Sequence, residues 1–339
     1  MSDHVKRIGV LTSGGDAPGM NAAVRAVVRT AIGHGIECIG IRRGWSGLIS
    51  NDFVRLNSSS VSHIINKGGT ILYTARSEEF MDRKGREKAI GTCKLLGLDG
   101  IVAIGGDGTF RGALALSRQI AESGHNLSVI GIPATIDNDI GCSHYTIGFD
   151  TACNTAIECI DKLRDTMQSH ERCSVVEVMG RHAGYLALYV GIAVGATAVL
   201  IPERPLDFEN DVVENIRRAR LAGSTHYMVV TAEGAASAYE IANRIKDEIG
   251  IDPRVTVLGH IQRGGSPSAR DRETASRMGY EAVQVLLAGK GNRIVATRDG
   301  RIVDLDMEEA LAMTKAFEMD RYDVLEALTN NDAFGYGKQ

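Results

Sequence analysis

Nowhere does the 339-residue sequence run to the roughly 18 uninterrupted apolar residues that span a bilayer. Its opening MSDHVKRIGV has two basic residues and no apolar stretch of signal length, so a cytoplasmic protein is expected. Strong charge of one sign is missing too: the formal net charge is −4, which speaks against a chain that coats nucleic acid. Six cysteines, at 38, 93, 142, 153, 159 and 173, form no Cys-x-x-Cys pair and no Cys/His cluster at zinc spacing. Cys153 and Cys159 fall in one helix-period stretch and are expected to be buried structural thiols. The patterns G-x-G-x-x-G, G-x-x-x-x-G-K-[ST], G-x-S-x-G and H-E-x-x-H are all absent. That sets aside dinucleotide dehydrogenases, P-loop NTPases, serine hydrolases and zinc peptidases. No low-complexity linker, short repeat or proline-rich hinge marks a domain boundary.

What is present is ordinary globular material, 44% hydrophobic and 24% charged, in a chain long enough for two cores. Strand-like apolar runs alternate with helix-period runs: IGVL (8–11), IVAIG (101–105) and SVIGIP (128–133), then SVVEVM (174–179), AVLIPE (198–203), YMVVTAE (227–233) and RVTVLGH (254–260). Alternation of this kind predicts an α/β protein with parallel sheets covered by helices. In RIVATRDGRIVDLD, Asp299-Gly300 between two β-prone runs predicts a hairpin. The segment NKGGTILYTARSEEFMDRKGR (66–86) is polar and irregular and reads as a loop over a site, outside the core.

Open α/β sheets bind ligands beyond the carboxyl ends of their strands, which directs attention to the loops after the apolar runs. After IGVL comes Thr12-Ser13-Gly14-Gly15-Asp16, with Pro18 expected to pre-set the first helical turn. Glycines there admit a phosphate to backbone amides, although such turns also occur for structural reasons alone. After IVAIG comes Gly105-Gly106-Asp107-Gly108-Thr109, opening a second helix. Asp107 fits either a cation such as Mg²⁺ on phosphates or a helix N-cap. Two such loops along one sheet favour a nucleotide.

The third loop is Pro133-Ala134-Thr135-Ile136-Asp137-Asn138-Asp139. In an extended conformation its two carboxylates share one side, where they repel unless a hydroxyl, metal or arginine is near. One of them could accept the proton of an attacking hydroxyl; the alternative is an Asx-type surface turn. Further on, Met179-Gly180-Arg181 and Gly259-His260-Ile261-Gln262-Arg263 each place a cation just past a strand. With Arg76, Arg172 and Arg254 these cations suit a substrate carrying phosphate, though each alone reads equally as a solvated side chain.

The combination TSGGDAPGMNAAVR, GGDGT, TIDNDI, TIGFDTA, SVVEVMGRHAG and TVLGHIQRGGSP, running from about residue 7 to 320, resembles the bacterial 6-phosphofructokinase family. The resemblance implies two Rossmann-like αβα sandwich domains with mainly parallel sheets and an active site in the cleft between them. The ATP-binding domain would be 1–148 plus about 262–312, and the sugar-phosphate and effector domain 149–261 plus about 313–339. It also implies transfer of the γ-phosphoryl group of MgATP to the 1-hydroxyl of fructose 6-phosphate.

Residue by residue, it makes Asp137 the base, Thr135 a neighbour of the transferring phosphoryl and Asp139 its support. Asp107 would hold Mg²⁺, while Gly15, Gly106, Gly108 and Thr109 line the ATP phosphates. Arg76 would bridge the phosphates, Arg181 add positive charge at the reacting centre, and Trp45 pack by the adenine. His260 and Arg263 would hold the sugar 6-phosphate, with Arg172 and Arg254 reaching in from a neighbouring subunit of a homotetramer. Met179, Gly180 and Glu233 would line the sugar.

Pyrophosphate-dependent relatives carry lysine in place of Ala134 and aspartate in place of Gly108, so ATP is the expected donor. Arg25, Arg29 and Arg164 match an effector site. Positions that are basic or metal-binding in regulated members are here Ser58, Thr197, Ala222 and Ser224, so weak or absent ADP activation is expected. Arg55, Arg217, Arg218 and Arg220 lie near them in sequence. The alternatives are a pyrophosphate-dependent enzyme, a catalytically silent nucleotide-binding regulatory subunit, and a nucleotide or lipid kinase sharing the GGDGT loop.

Overall fold

A computed structural model describes residues 5–124 and 127–329. The outermost residues of the expected domains, 1–4 and 330–339, lie outside the described residues. The chain divides into two compact units. One comprises Met1–Ile136, Ile140–Thr151 and Arg263–Lys315; the other comprises Asp137–Asp139, Ala152–Gln262 and Ala316–Gln339.

Strands β1 (Arg7–Ser13), β2 (Glu37–Ile41), β3 (Phe53–Leu56), β4 (Gly100–Gly105) and β5 (Ser128–Pro133) belong to the first unit. The second unit holds β6 (Cys173–Val178), β7 (Ala198–Leu200), β8 (Tyr227–Ala232) and β9 (Arg254–Val257), and the chain returns to the first for β10 (Arg293–Arg298) and β11 (Arg301–Asp306). The first sheet runs β11-β10-β5-β4-β1-β2-β3, parallel except at its two edges. The second runs β7-β8-β6-β9, parallel throughout. Every position of β4 and of β8 is buried, as parallel strands covered on both faces require, and this is why their sequences read as unbroken apolar runs. β7 stops at Leu200, short of the run read from sequence, because Pro202 cannot donate to a ladder. The predicted hairpin is β10–β11: Arg298 faces Arg301 across a turn in which Asp299 and Gly300 both have positive φ, 49° and 74°.

Two long helices of the first unit, Met20–Gly33 and Ala269–Leu287, approach closely. A Cβ at Gly279 would lie 2.6 Å from the Ala26 methyl. On the sheet's covered faces Ile101, Phe110, Leu116, Ile41 and Leu48 fill the core. The expectation that 66–86 lies wholly outside the core is corrected: Leu72 is 1% and Phe80 2% exposed, and helix Arg83–Leu96 begins inside the segment. Its polar composition hides two apolar anchors spaced too irregularly to show a period. In the second unit Val175, Leu200, Val212, Ile216, Val229, Ile241 and Ile245 form a separate core.

One buried carboxylate ties the first unit's segments. Asp271, 0% exposed, accepts from the Tyr145 hydroxyl (2.5 Å), the Gly148 amide (2.7 Å), and the amide and hydroxyl of Thr151 (2.9 and 2.5 Å). Burial raises its carboxyl above the ordinary range, while these donors pull it back.

Five cysteines are buried, but Cys159 is half-exposed on helix Phe149–His170, contrary to the expectation for that residue. Burial pushes the thiols of Cys38, Cys93 and Cys173 up to about 12 and that of Cys142 to about 11. Since the thiolate is the nucleophile, a rise from 9.0 to about 12 lowers its population at pH 8 about a thousandfold. Iodoacetamide at pH 8 is therefore expected to modify Cys159 first, and Cys159→Ser to remove the fast phase; peptide mapping that finds Cys38, Cys93, Cys142 or Cys173 alkylated as fast contradicts this.

Candidate active site

The first glycine turn leaves β1 at Ser13, and the chain passes through Gly14 (φ 89°) and Gly19 (φ 109°) before the helix begins at Met20. Pro18 thus stands in the turn two residues ahead of the helix, and Gly19, whose left-handed backbone glycine tolerates best, takes the cap expected of a proline-led start. The second glycine turn is bound to the first. Ser13 pairs with Gly105 across β1 and β4, and the Thr109 hydroxyl donates to the Ser13 carbonyl at 3.1 Å. A Cβ at Gly105 would strike that same carbonyl and the Thr109 side chain.

At Gly106 and Gly108, by contrast, a Cβ would meet nothing within 4 Å. These glycines leave open space at the N-terminus of the 16-residue helix Asp107–Glu122, where unpaired amides and the helix dipole favour an anion. Asp107 is the first residue of that helix, half-exposed, with Arg111 Nε on its Oδ2 at 2.6 Å; it does not cap the helix. One carboxylate beside a phosphate cradle suits Mg²⁺, which takes few protein ligands and completes its shell with phosphate oxygens and water. Among the described residues no group of three His, Cys, Asp or Glu could hold a metal alone.

A strap of chain from 67 to 76 is pinned onto the first turn by short polar side chains. Asn21, 1% exposed, donates to the Lys67 and Gly68 carbonyls (3.1 and 3.2 Å) and accepts from the Ile71 amide (2.8 Å). Thr12 donates to the Tyr73 carbonyl and Thr74 to the Gly14 carbonyl, each at 2.8 Å. Arg76, exposed, follows two residues after that last contact. Arg263 also belongs to this turn: its Nη1 donates to the Asp16 carbonyl at 3.2 Å and lies where a Cβ of Gly15 would be. The sequence paired it with His260; in the structure it lies within the first unit, and exposed His260 within the second.

Two expectations change here. Trp45 does not offer its face to a purine: it is 4% exposed and stacked on Phe80, with centroids 4.7 Å and planes 8° apart. The loop after β5 is a turn, not an extended segment. Asn138 has φ 52°, Asp137 is 7% exposed and Asp139 is exposed, so the two carboxylates occupy different surroundings. Thr135, half-buried, accepts at its carbonyl from the Thr146 hydroxyl at 2.6 Å, and Ala134 is buried beside Ile147.

In the second unit the turns after β6, β8 and β9 meet. Gln262 Oε1 accepts the Met179 amide (2.8 Å), and Glu233 Oε1 accepts the amides of Gly180 (3.2 Å) and Arg181 (2.7 Å). Gly180 has φ 140° and Arg181 φ 58°; for a non-glycine residue the latter costs about 1 kcal/mol or more. Arg172 and Arg254 sit at the opposite, amino ends of β6 and β9, exposed, Arg254 paired with Asp252 at 3.5 Å. Six strand residues separate Arg172 from Met179, about 20 Å of extended chain. One subunit therefore brings Met179, Arg181 and Glu233 together and leaves Arg172 and Arg254 at the far edge of the same sheet.

Of the effector candidates, Arg25 and Arg29 lie one turn apart on helix Met20–Gly33. Arg164 donates to the Val194 carbonyl and lines a cavity of about 190 Å³ with Thr197, Ser224 and His226. Ser58 and Arg55 line a groove of about 750 Å³ in the first unit. Sequence reasoning gave no role to Asn21, Gln262 or Asp271; Asn21 stands out as a polar residue in the apolar stretch MNAAV, whereas Gln262 and Asp271 lie in polar stretches that give no such signal.

The phosphofructokinase family model matches residues 7–286. A Clostridium botulinum protein described as ATP-dependent 6-phosphofructokinase is 50% identical over 96% of this chain and 100% of its own length. One from Clostridium acetobutylicum with the same description is 51% identical over the same shares. Among solved structures, phosphofructokinase from Saccharomyces cerevisiae superposes with TM-score 0.86 at 35% identity, covering 96% of this chain and 47% of that one. Pyrophosphate-dependent phosphofructokinase from Marinobacter aquaeolei shares the fold, with TM-score 0.84 at 24% identity over 97% of this chain and 93% of that one.

The contrast between packed and open glycines is testable. Gly105→Ala is expected to cost about 1–3 kcal/mol by overpacking and to weaken nucleotide binding at least tenfold. Gly108→Ala should leave the urea midpoint unchanged. Equal effects of the two on stability would show that the turns are not locked as described.

Proposed function

Because the chain belongs to the phosphofructokinase family, we infer that it transfers the γ-phosphoryl group of ATP to the 1-hydroxyl of fructose 6-phosphate, giving fructose 1,6-bisphosphate and ADP. What carries this reading is the pair of interlocked glycine turns with Asp107 opening the second helix, in a chain half identical to ATP-dependent relatives over almost its whole length. A pyrophosphate donor is disfavoured, since the pyrophosphate-dependent neighbours are related at only 22–24% identity. Gly108 leaves its space open and uncharged, where an aspartate would repel ATP phosphates.

Phosphoryl transfer asks mainly for positioning and neutralisation of charge. Gly15, Gly106, Gly108 and Thr109 cradle the nucleotide phosphates through backbone amides and a short hydroxyl. Arg76, at the end of the pinned strap, bridges the phosphates. Asp107 would hold Mg²⁺, which when bound would neutralise phosphate charge. Asp137 accepts the proton of the attacking hydroxyl, Thr135 lies by the transferring group, Asp139 supports Asp137, and Arg181 balances charge on the transferring phosphoryl. Met179, Gly180 and Glu233 line the sugar, and His260 and Arg263 bind its 6-phosphate.

Arg172 and Arg254 complete that phosphate grip from a neighbouring subunit, in a homotetramer working in the cytoplasm. Their place at the amino edge of β6 and β9 supports this, because they are about 20 Å of extended strand from Met179 of their own chain.

Asp137→Ser is expected to lower kcat with MgATP by about 10²–10⁴-fold while fructose 6-phosphate still binds, and pyrophosphate should support no turnover in the parent enzyme. Turnover with pyrophosphate alone contradicts the donor assignment; a serine variant within tenfold of the parent contradicts the base. For the shared site, Arg254→Ala and His260→Ala proteins, each poorly active, should regain activity when dissociated together and reassembled. No recovery in verified mixed oligomers would place both residues in one chain's site.

A further inference from the structure

We propose that Gln262 is a positioning residue for phosphoryl transfer: with Glu233 it holds the Met179–Arg181 turn so that the Arg181 guanidinium stays where the transferring phosphoryl needs it. The inference rests on the role given to Arg181 above. Three successive amides, of Met179, Gly180 and Arg181, point away from any helix or strand partner and end on two side chains from the neighbouring turns, Gln262 Oε1 and Glu233 Oε1. The backbone they hold is one that an arginine does not choose, with positive φ at both Gly180 and Arg181. A Cβ at Gly180 would strike the Ala183 carbonyl, and one at Gly234 would strike the carbonyl of Arg181. The turn is thus boxed in by backbone on two sides and anchored by acceptors on a third.

Gln262 carries one satisfied and one unsatisfied polar atom in the interior. It is 0% exposed, and its Nε2 has no hydrogen-bond partner among the described residues. A buried donor left unpaired is destabilising, and it is tolerated here because the oxygen of the same amide satisfies the buried Met179 amide, which an apolar side chain would leave unpaired. The amide is explained by its oxygen, which a methionine cannot replace. Glu233, assigned above to the sugar, has a second task in the same turn, so its loss would confuse substrate binding with positioning. Gln262 isolates the positioning contribution.

The experiment is a double-mutant cycle of Gln262→Met with Arg181→Ala in the full-length enzyme. Gln262→Met is expected to keep its melting temperature within a few degrees, to leave the KM for MgATP unchanged, and to lower kcat at least tenfold. In the Arg181→Ala background the same change should alter kcat less than twofold, because there is no guanidinium left to place. An equal loss in both backgrounds, an unchanged kcat in the parent, or a rise in the KM for fructose 6-phosphate alone would overturn the proposal. If Arg181→Ala itself proves harmless, it is the role of Arg181 that fails, which the cycle distinguishes. Should Gln262→Met not fold, hydrogen exchange on the parent decides: protection of the Met179–Arg181 amides comparable to that of β6 supports the anchored turn, and exchange at open-loop rates overturns it.

Discussion

Three separate stretches of sequence make the first unit, and they meet at Asp271. Its carboxylate gathers the Tyr145 hydroxyl, the Gly148 amide and both donors of Thr151 from the short middle segment. Its Cβ lies 3.5 Å from where a side chain at Gly19 would begin, so the first glycine turn closes against it. The cost of burying a carboxylate is met by four donors, and removing the acceptor would strand all of them in the interior. Around this point the loop that carries Thr135 is set, through the Thr146 hydroxyl on the Thr135 carbonyl. The registers of β1, β4 and β5 then fix which residues emerge together at their carboxyl ends.

What those ends present is mostly backbone. The turns of the first unit carry glycines of two kinds: Gly105, Gly19 and Gly44 are small because other atoms fill the space, whereas Gly106 and Gly108 leave space unfilled. Only the second kind makes room for a ligand. The turn after β5 separates two carboxylates by environment rather than by residue type, Asp137 buried and Asp139 exposed, two residues apart. In the second unit, the turn bearing Arg181 is shaped by acceptors on its neighbours, so its geometry belongs to three loops at once.

Much of this could be read directly from the sequence. β4, β5, β6 and β8 are largely apolar because both faces are covered, and a covered parallel strand has little alternation to obscure it. Asp299-Gly300 declared its hairpin because few residues accept two left-handed conformations in succession. The first glycine turn was legible for the same reason, Gly14 and Gly19 both having positive φ, whereas the second owes its glycines to close packing at Gly105 and open space at Gly106 and Gly108. Other features depend on partners remote in sequence. Gln262 holds Met179 across 83 residues and Arg263 reaches Asp16 across 247, and no periodicity encodes such pairs. Trp45 was placed by the adenine through the family resemblance, but its partner, Phe80, lies in a segment whose composition looked wholly exposed. Extended chain and Asx-type turn both stayed open at Asp137, because asparagine permits the left-handed conformation that Asn138 adopts without requiring it.

The discontinuous first unit bears on how the chain is made. During synthesis β5 emerges long before β10, its neighbour in the sheet, and Tyr145, Gly148 and Thr151 emerge long before Asp271. The whole second-unit stretch from Ala152 to Gln262 is translated in the interval. A nascent chain leaving the ribosome therefore carries a sheet with an open edge and a set of donors with no acceptor, and the second unit too waits for a last segment that begins at Ala316, after the first unit is complete. Residues 263–315 complete what residue 7 began, so a message truncated before them yields a polypeptide with almost all of its nucleotide loops and no finished sheet to hold them.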